Sequence, residues 1–159
     1  MMPIVARLEP GPLKPDAELA AFLDNLDGEG AVVTFVGVAR PTARDGQSVN
    51  GLFLDHYPGM TETTLRDIAS ACAAKHGDLA IRVAHRSGHV VPGEPIVFTA
   101  VAATHRGAAF DAASELMDRL KSEAAFWKRE DRADGSVWIE PSAEDRAALE
   151  KWSDNARDR

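Results

Sequence analysis

The chain has 159 residues, a length typical of one domain that buries about two-thirds of its unfolded surface in a single core. Its formal net charge of −7 disfavours nucleic acid or an anionic membrane as a partner, because such binders usually carry a surplus of basic residues. The single cysteine excludes an internal disulfide, and because no signal-peptide pattern or long apolar segment is present we expect a cytoplasmic protein.

Helical and strand periods alternate along the chain and predict its elements. Apolar residues three and four positions apart mark the helices, whereas β-branched runs bounded by glycine and proline mark the strands. In chain order the sequence predicts a helix over 15–26, strands over 31–38 and 49–56, a helix over 61–75, strands over 79–85 and 95–103, a helix over 107–121, and a hairpin of 125–130 with 137–140.

Some of these segments carry more detailed expectations. The run 31–38 is apolar on both faces, which predicts a strand buried on both sides, and Thr61 is expected to cap the helix that follows it. The side chains expected to face inward are Leu19, Phe22, Leu23 and Leu26 in the first helix, Leu65, Ile68 and Cys72 in the second, and Phe110, Ala113, Met117 and Leu120 in the third.

The C-terminal part predicts a last short helix and a tail. Ser142 with Asp145 resembles a capping box for that helix. We expect residues 1–152 to form one domain and the polar residues 153–159 to fray. The complete pattern predicts an α/β or α+β fold of about five to seven strands and three or four helices, mostly antiparallel because the links are short.

Basic residues at two junctions indicate an anion site. His105 and Arg106 precede the helix over 107–121, where unpaired backbone N–H groups already carry partial positive charge, so an anion would relieve the conflict. Two alternatives to an anion stay open for this pair. Arg106 could form an ion pair with Asp111 or Glu115, and His105 could be an ordinary junction histidine.

Two lysines bracket an aromatic pair, Phe126-Trp127, at a helix-to-strand junction. Lys121 could bind an anion, or it could only complement the negative end of its helix. Lys128 could do the same, or it could be an edge-strand lysine that discourages aggregation. Arg40 ends the strand over 31–38, a position more often taken by a solvated loop residue.

Thiol and metal chemistry are not expected. Cys72 lies one turn beyond Ile68 on an inward helix face, which indicates a small buried hydrophobe with a raised pKa. His85 and His89 are four residues apart in a segment that is not helical, so we expect no metal pair. The sequence contains no P-loop or G-x-G-x-x-G motif, and we expect no cofactor.

Several longer motifs, in order, resemble one family. They are 30–37 (GAVVTFVG), 54–62 (LDHYPGMTE), 85–88 (HRSG), 104–106 (THR) and 117–130 (MDRLKSEAAFWKRE). Together they resemble the large, catalytic subunit of molybdopterin synthase, the MoaE family, from about Gly30 to Trp152.

The resemblance implies an α/β hammerhead fold with an added antiparallel sheet and a sulfurtransferase of molybdenum-cofactor biosynthesis. In that family the pterin substrate, cyclic pyranopterin monophosphate or precursor Z, receives two sulfurs as a dithiolene. A small ubiquitin-like subunit donates them from a C-terminal Gly-Gly thiocarboxylate that enters the large subunit. Large subunits form a homodimer, and with two small subunits a heterotetramer. The alternative is a non-catalytic module that binds such a tail.

The resemblance also assigns site residues by motif position. Lys121 and Lys128 are the implied catalytic residues, and we favour Lys121 as general acid/base and Lys128 as a cation that positions the substrate. His105 and Arg106 are expected to reach the site from the neighbouring protomer. Two departures from the family pattern are Val38, where related sequences can have lysine, and a longer loop at 41–48. The residues expected to bind substrate and tail are Val38, Ala39, Arg40, His105, Arg106, Lys121, Lys128, Arg129 and Glu130.

Overall fold

The computed structural model describes residues 4–153 of the chain. Over this range eight strands and four helices form two four-stranded sheets. Their bounds are β1 Ile4–Glu9, α1 Pro15–Asp24, β2 Ala31–Val38, β3 Gly51–His56, α2 Met60–Lys75, β4 Ala80–Arg86, β5 Gly88–Val90, β6 Pro95–Ala103, α3 Arg106–Glu123, β7 Phe126–Arg132, β8 Gly135–Ile139 and α4 Ala143–Glu150.

The first sheet has the order β1-β4-β6-β2 and is covered by helices on both faces. Only β1 and β4 pair in parallel; the other neighbours are antiparallel. Side chains alternate between the two faces along each strand. Helix α1 packs through Phe22 against Phe98 and Ala100 on one face, and α2 and α3 cover Ile81 and Val101 on the other.

The second sheet, with the order β5-β3-β7-β8, is antiparallel throughout. Its β7–β8 hairpin turns through Gly135, whose φ of +132° favours glycine. The Thr61 hydroxyl donates to the Ala125 carbonyl at 2.6 Å and accepts from the Tyr57 N–H at 2.9 Å, which fixes the start of β7 against α2. The buried residues Ala39, Val49, Leu52, Leu54 and Val90 form the core beside this sheet.

The fold predicted from sequence is confirmed, with two additional strands. The last helix begins with the predicted Ser142–Asp145 capping box. Strands β1 and β5 were not predicted. Of the predicted tail, residues 154–159 lie outside the described range, and the single domain over 1–152 stays a prediction. None of the helices in the described part combines the length and apolar character needed to cross a bilayer.

Four local expectations were wrong. Thr61 lies inside α2, whose N-cap is Gly59, and it joins α2 to the second sheet instead. Strand β2 is an edge strand, so Phe35 remains 40% exposed. Phe110 is 60% exposed because α3 packs inward through its small residues, which allow helix and sheet to approach closely. Leu23 is likewise 47% exposed on the outer side of α1.

Candidate anion-binding site

Lys128 lies near the start of β7, opposite Leu54 of β3, with a half-buried side chain. Burial lowers its pKa most, and the charge of Lys121 lowers it further. The charge of Glu130 raises the pKa of Lys128, whereas the charges of Arg40 and Arg44 lower it. Four cations therefore act on one another in this region, and Lys128 holds its proton less firmly than an ordinary lysine.

Lys121 stands in the last turn of α3, exposed to solvent. Ser122 beside it donates from its hydroxyl to the Asp145 carbonyl at 3.4 Å, which attaches the end of α3 to the start of α4. The pKa of Asp145 would be raised by burial, but hydrogen bonds at Ser142 and the charges of Lys121 and Arg44 lower it overall. Helix α4 therefore lies beside the cationic cluster.

Arg40 follows the end of β2 and lines an open cleft of about 660 Å³, together with Arg44 and Glu144. The preceding Ala39 is buried, and its N–H donates to the Glu94 carbonyl at 2.9 Å. Ala39 thus fixes the backbone from which Arg40 projects. Val38 is 47% exposed at the end of the free edge of β2.

Glu130 and Arg129 lie on opposite faces of β7, because consecutive strand residues alternate. Glu130 is buried on the Lys128 face and accepts from Arg132 at 3.3 Å. The Arg129 guanidinium lies 4.8 Å from the Phe53 ring centre and donates to Asp131 at 2.8 Å. Glu130 therefore shares a face with Lys128, whereas Arg129 does not.

His105 and Arg106 lie far from Arg40 within one protomer. Ala31 pairs with Ala103 and Val38 with Pro95, so His105 lies beyond one end of β2 and Arg40 beyond the other. At 3.3 Å per strand residue this separation is about 30 Å. Both His105 and Arg106 are exposed.

The local structure explains how the junction before α3 forms. It also shows that Arg106 is not paired with either of the two acidic residues that the sequence offered as partners. A side chain at Gly30 would place its Cβ 2.8 Å from the Thr104 carbonyl oxygen, so glycine allows β2 to begin directly beside this junction. Among the described residues Arg106 forms no ion pair with Asp111 or Glu115. Glu115 is instead bound by Lys75 and Arg119.

Two residues near the site were given no role in it from the sequence, Arg44 and His85, and His85 was considered only as half of a metal pair. His85 stacks on Phe126 with ring centres 4.1 Å apart, and its Nδ1 lies 2.8 Å from the Arg86 carbonyl oxygen. Burial lowers the pKa of His85 to about 4, and the charge of Lys128 contributes in the same direction. A neutral imidazole thus supports Phe126 beside Lys128. No sequence signal distinguished it from an ordinary strand residue.

Cys72 forms part of a buried cluster away from this site. Cys72, His76 and Glu115 present ligand atoms within 4.8 Å of one another. However, Lys75 Nζ and Arg119 Nε each lie 2.7 Å from a Glu115 oxygen. Burial raises the pKa of the Cys72 thiol to about 12. The carboxylate is therefore already neutralised by cations, and the thiol is inert, as the sequence predicted.

The geometry of the main site suits the binding of an anion and the exchange of a proton. Arginine offers forked donors to oxyanions, and a lysine with a lowered pKa releases its proton more readily than an ordinary lysine. The described residues at the cleft include no thiol that could act as a nucleophile.

Comparisons with known proteins agree with the resemblance seen in the sequence. The family model described as MoaE protein matches residues 8–123. The molybdopterin synthase catalytic subunit of Pseudomonas aeruginosa is 45% identical, over 93% of this chain and 98% of that protein.

Solved structures of proteins with the same names also resemble this chain. The MoaE protein of Burkholderia ambifaria is 37% identical, with a TM-score of 0.79 over 96% of this chain and 98% of that one. Molybdopterin synthase of Staphylococcus aureus gives a TM-score of 0.73 at 27% identity, over 86% of this chain and 94% of that one. Because the family model matches most of the chain and close relatives cover nearly all of it, the protein belongs to the MoaE family.

Proposed function

We propose that this chain is the catalytic subunit of a molybdopterin synthase. It transfers sulfur from the thiocarboxylated C-terminus of a small ubiquitin-like subunit to cyclic pyranopterin monophosphate. The names of its relatives support the enzyme class. The observation that carries the mechanism is the gathering of Arg40, Arg44, Lys121 and Lys128 in a chain of net charge −7.

These cations suit a reaction between two anions. A phosphate on the pterin and a thiocarboxylate on the tail would repel each other unless fixed positive charges lay between them. Arg40 would hold an oxyanion through its forked donors. The partner brings sulfur already activated, so the inert Cys72 is no obstacle, and the site needs only to orient the reactants and stabilise developing negative charge.

The structure favours Lys128 over Lys121 for proton exchange. The sequence favoured Lys121 as general acid/base, but the lysine whose pKa is lowered by burial and by neighbouring charge is Lys128. We assign proton exchange to Lys128. Lys121 then serves as the charge that lowers the pKa of Lys128 most after burial, in addition to attracting the anionic tail.

We further propose that two copies pair through β2, so that each completes the other's site. Phe35, Val36 and Val38 are 39–47% exposed along the free edge of this strand. Antiparallel pairing about a two-fold axis would place Ala31 of one copy opposite Val38 of the other. His105 and Arg106 would then lie beside the partner's Arg40. Within one protomer the distance between these residues rules out such a contact.

The small subunit and the heterotetramer belong to the same proposal. One chain of the protein–protein complex of subunits 1 and 2 of molybdopterin-converting factor from Helicobacter pylori has a TM-score of 0.67 at 18% identity, and this likeness shows the fold alone. We expect the tail to enter the cleft between the 41–48 loop and α4. With soluble reactants, the reaction would take place in the cytoplasm.

The test combines purified protein, thiocarboxylated small subunit and the pterin, and measures molybdopterin. We expect product from the wild type, a loss of about 10²-fold in kcat for Lys128→Ala and a loss of kcat for Lys121→Ala, with binding of the small subunit unchanged in both variants. Exposed Lys14→Ala is the matched control. Absence of product from the wild type would refute the proposed activity, and tail binding without product would establish the non-catalytic module instead. Normal turnover by Lys121→Ala would remove this lysine from the mechanism.

A further inference from the structure

The loop between β2 and β3 is a folded hairpin that carries Arg44 near its tip. Its strands meet at an isolated bridge between Thr42 and Ser48. The Arg132 guanidinium donates to Asp45 at 2.9 Å, which attaches the loop to the end of β7. Arg44 therefore projects from an ordered support. Two backbone hydrogen bonds inside the loop are Ala43 N–H to the Gln47 carbonyl at 2.8 Å and Gly46 N–H to the Ala43 carbonyl at 3.0 Å.

The acidic partners of Arg44 hold it only loosely. Its guanidinium nitrogens lie 3.7 Å from Glu144 and 3.8 Å from Asp145, distances too long for hydrogen bonds. The Arg44 side chain is 52% exposed and that of Glu144 is 90% exposed. Ion pairs of this kind contribute little to stability. Within the described residues, the Arg44 guanidinium makes no hydrogen bond, so its donors are available to a ligand.

Arg44 also faces the same space as Arg40. Both line the cleft of about 660 Å³, and Glu144 lines it with them. Both arginines act on Lys128 from that side. A phosphate placed there would meet two guanidinium groups, each able to form a bidentate pair with its oxygens.

We propose that Arg44 is a second phosphate-binding arginine of the cleft, acting with Arg40, and that Glu144 competes with the bound anion for it. This inference rests on the proposed function for the identity of the substrate, but the binding of phosphate tests it directly. Glu144 would weaken phosphate binding through its ion pair with Arg44. Helix α4 would thereby set the affinity of the site.

The experiment is a double-mutant cycle with inorganic phosphate as the probe, in which binding is measured by calorimetry at fixed ionic strength. We expect Arg44→Gln to weaken phosphate binding about tenfold and Glu144→Gln to strengthen it about threefold. The double variant should bind like Arg44→Gln, because Glu144 acts through Arg44. Exposed Arg146→Gln on α4 is the control for loss of one positive charge, and it should bind like the wild type.

Three results would overturn the inference. Arg44→Gln could bind phosphate as tightly as the wild type. Arg146→Gln could lose as much affinity as Arg44→Gln, which would indicate a general charge effect. Glu144→Gln could strengthen binding equally with and without Arg44, which would place its action elsewhere.

A second arm separates phosphate from the carboxylate of the incoming tail. A peptide ending in Gly-Gly with a free carboxylate should bind Arg44→Gln and wild type alike, and a peptide amide serves as the uncharged comparison. Weakened peptide binding with unchanged phosphate binding would refute the assignment to phosphate. In the synthase assay, a raised KM for the pterin with similar kcat is expected. An inactive wild type would refute the proposed function, whereas an active wild type with an unchanged Arg44→Gln KM would refute only this inference.

Discussion

Complementation between two inactive variants tests whether the site is shared by two protomers. The separation of about 30 Å between Arg40 and His105 in one protomer requires that a site containing both ends of β2 draw on two copies. We choose Lys128→Ala to remove one half of the site and Arg106→Ala to remove the other. Each variant alone has a lesion in every site, so both are expected to be inactive.

Mixed dimers of these variants have an unequal pair of sites. One site carries both lesions, whereas the other combines an intact Lys128 with an intact Arg106 from the opposite copy. Random exchange makes about half of all dimers mixed, so about a quarter of all sites should be intact. We therefore expect about a quarter of the wild-type rate of molybdopterin formation after exchange, and almost none before it.

A second mixture gives the matched control. Lys121→Ala mixed with Lys128→Ala places one lesion in every site of a mixed dimer, so its rate should not recover. No recovery in the first mixture, although exchange is demonstrated with two affinity tags, would refute the shared site. Wild-type activity in Arg106→Ala alone would show that this residue is not needed, and recovery in the control mixture would refute the assignment of both lysines to one protomer.

Two further predictions concern stability. The pKa of His85 is about 4 in the folded protein against an ordinary 6.5, so the unfolded chain binds more protons between these values, and the free energy of unfolding should fall by about 2 kcal/mol from pH 7 to pH 5. His85→Phe, measured by urea unfolding, should flatten that part of the pH profile; an unchanged slope would contradict the assignment. Glu115 is fully buried between Lys75 and Arg119, so Glu115→Gln should lower the free energy of unfolding by about 3 kcal/mol. The exposed pair formed by Glu123 gives the control, since Glu123→Gln should cost less than about 1 kcal/mol, and equal losses would contradict the buried role of Glu115.

Local patterns predicted most of the fold, and short or unpatterned segments were missed. The capping box at Ser142 is readable because all its partners lie within four residues. Strand β5 has three residues, too few for a period to show. Strand β1 contains Arg7 and Glu9, and it pairs with β4 through residues 77 positions apart, such as Ile4 and Ile81, so this pairing cannot be read from local sequence.

The inward faces show where periodicity misleads. In α3 the larger residues Phe110 and Met117 suggested the buried side. The structure buries Ala109, Ala112 and Leu116 together with the predicted Ala113 and Leu120, and Met117 packs partly buried against the same core. Small side chains let α3 approach α2 and the sheet closely. The alanine-rich face of α3 therefore packs inward, although its residues have less apolar area than Phe110. Phe110 is left exposed on the helix that packs against β2.

The candidate site was only partly readable for the same reason. The sequence identified Lys121 and Lys128 through one contiguous motif. Arg44 gave no signal, because its significance depends on Glu144, one hundred positions further along the chain. Strand alternation places Arg129 on the opposite face of β7 from Lys128, but the contact of Arg129 with Phe53 could not be predicted, since it requires the register of β7 on β3.

The net charge of the chain gave no sign of the cationic cluster. Net charge averages over the chain, whereas the site depends on where a few charges converge. Gathering Arg40, Arg44, Lys121 and Lys128 would be unfavourable by itself. Two features offset that cost. Acidic groups stand among the cations, with Glu130 beside Lys128 and the α4 carboxylates beside Arg44, and Lys128 releases its proton more readily than an ordinary lysine. An acidic protein can therefore hold a basic cleft, and under the proposal the acids that make this possible are also the groups against which an incoming phosphate would compete.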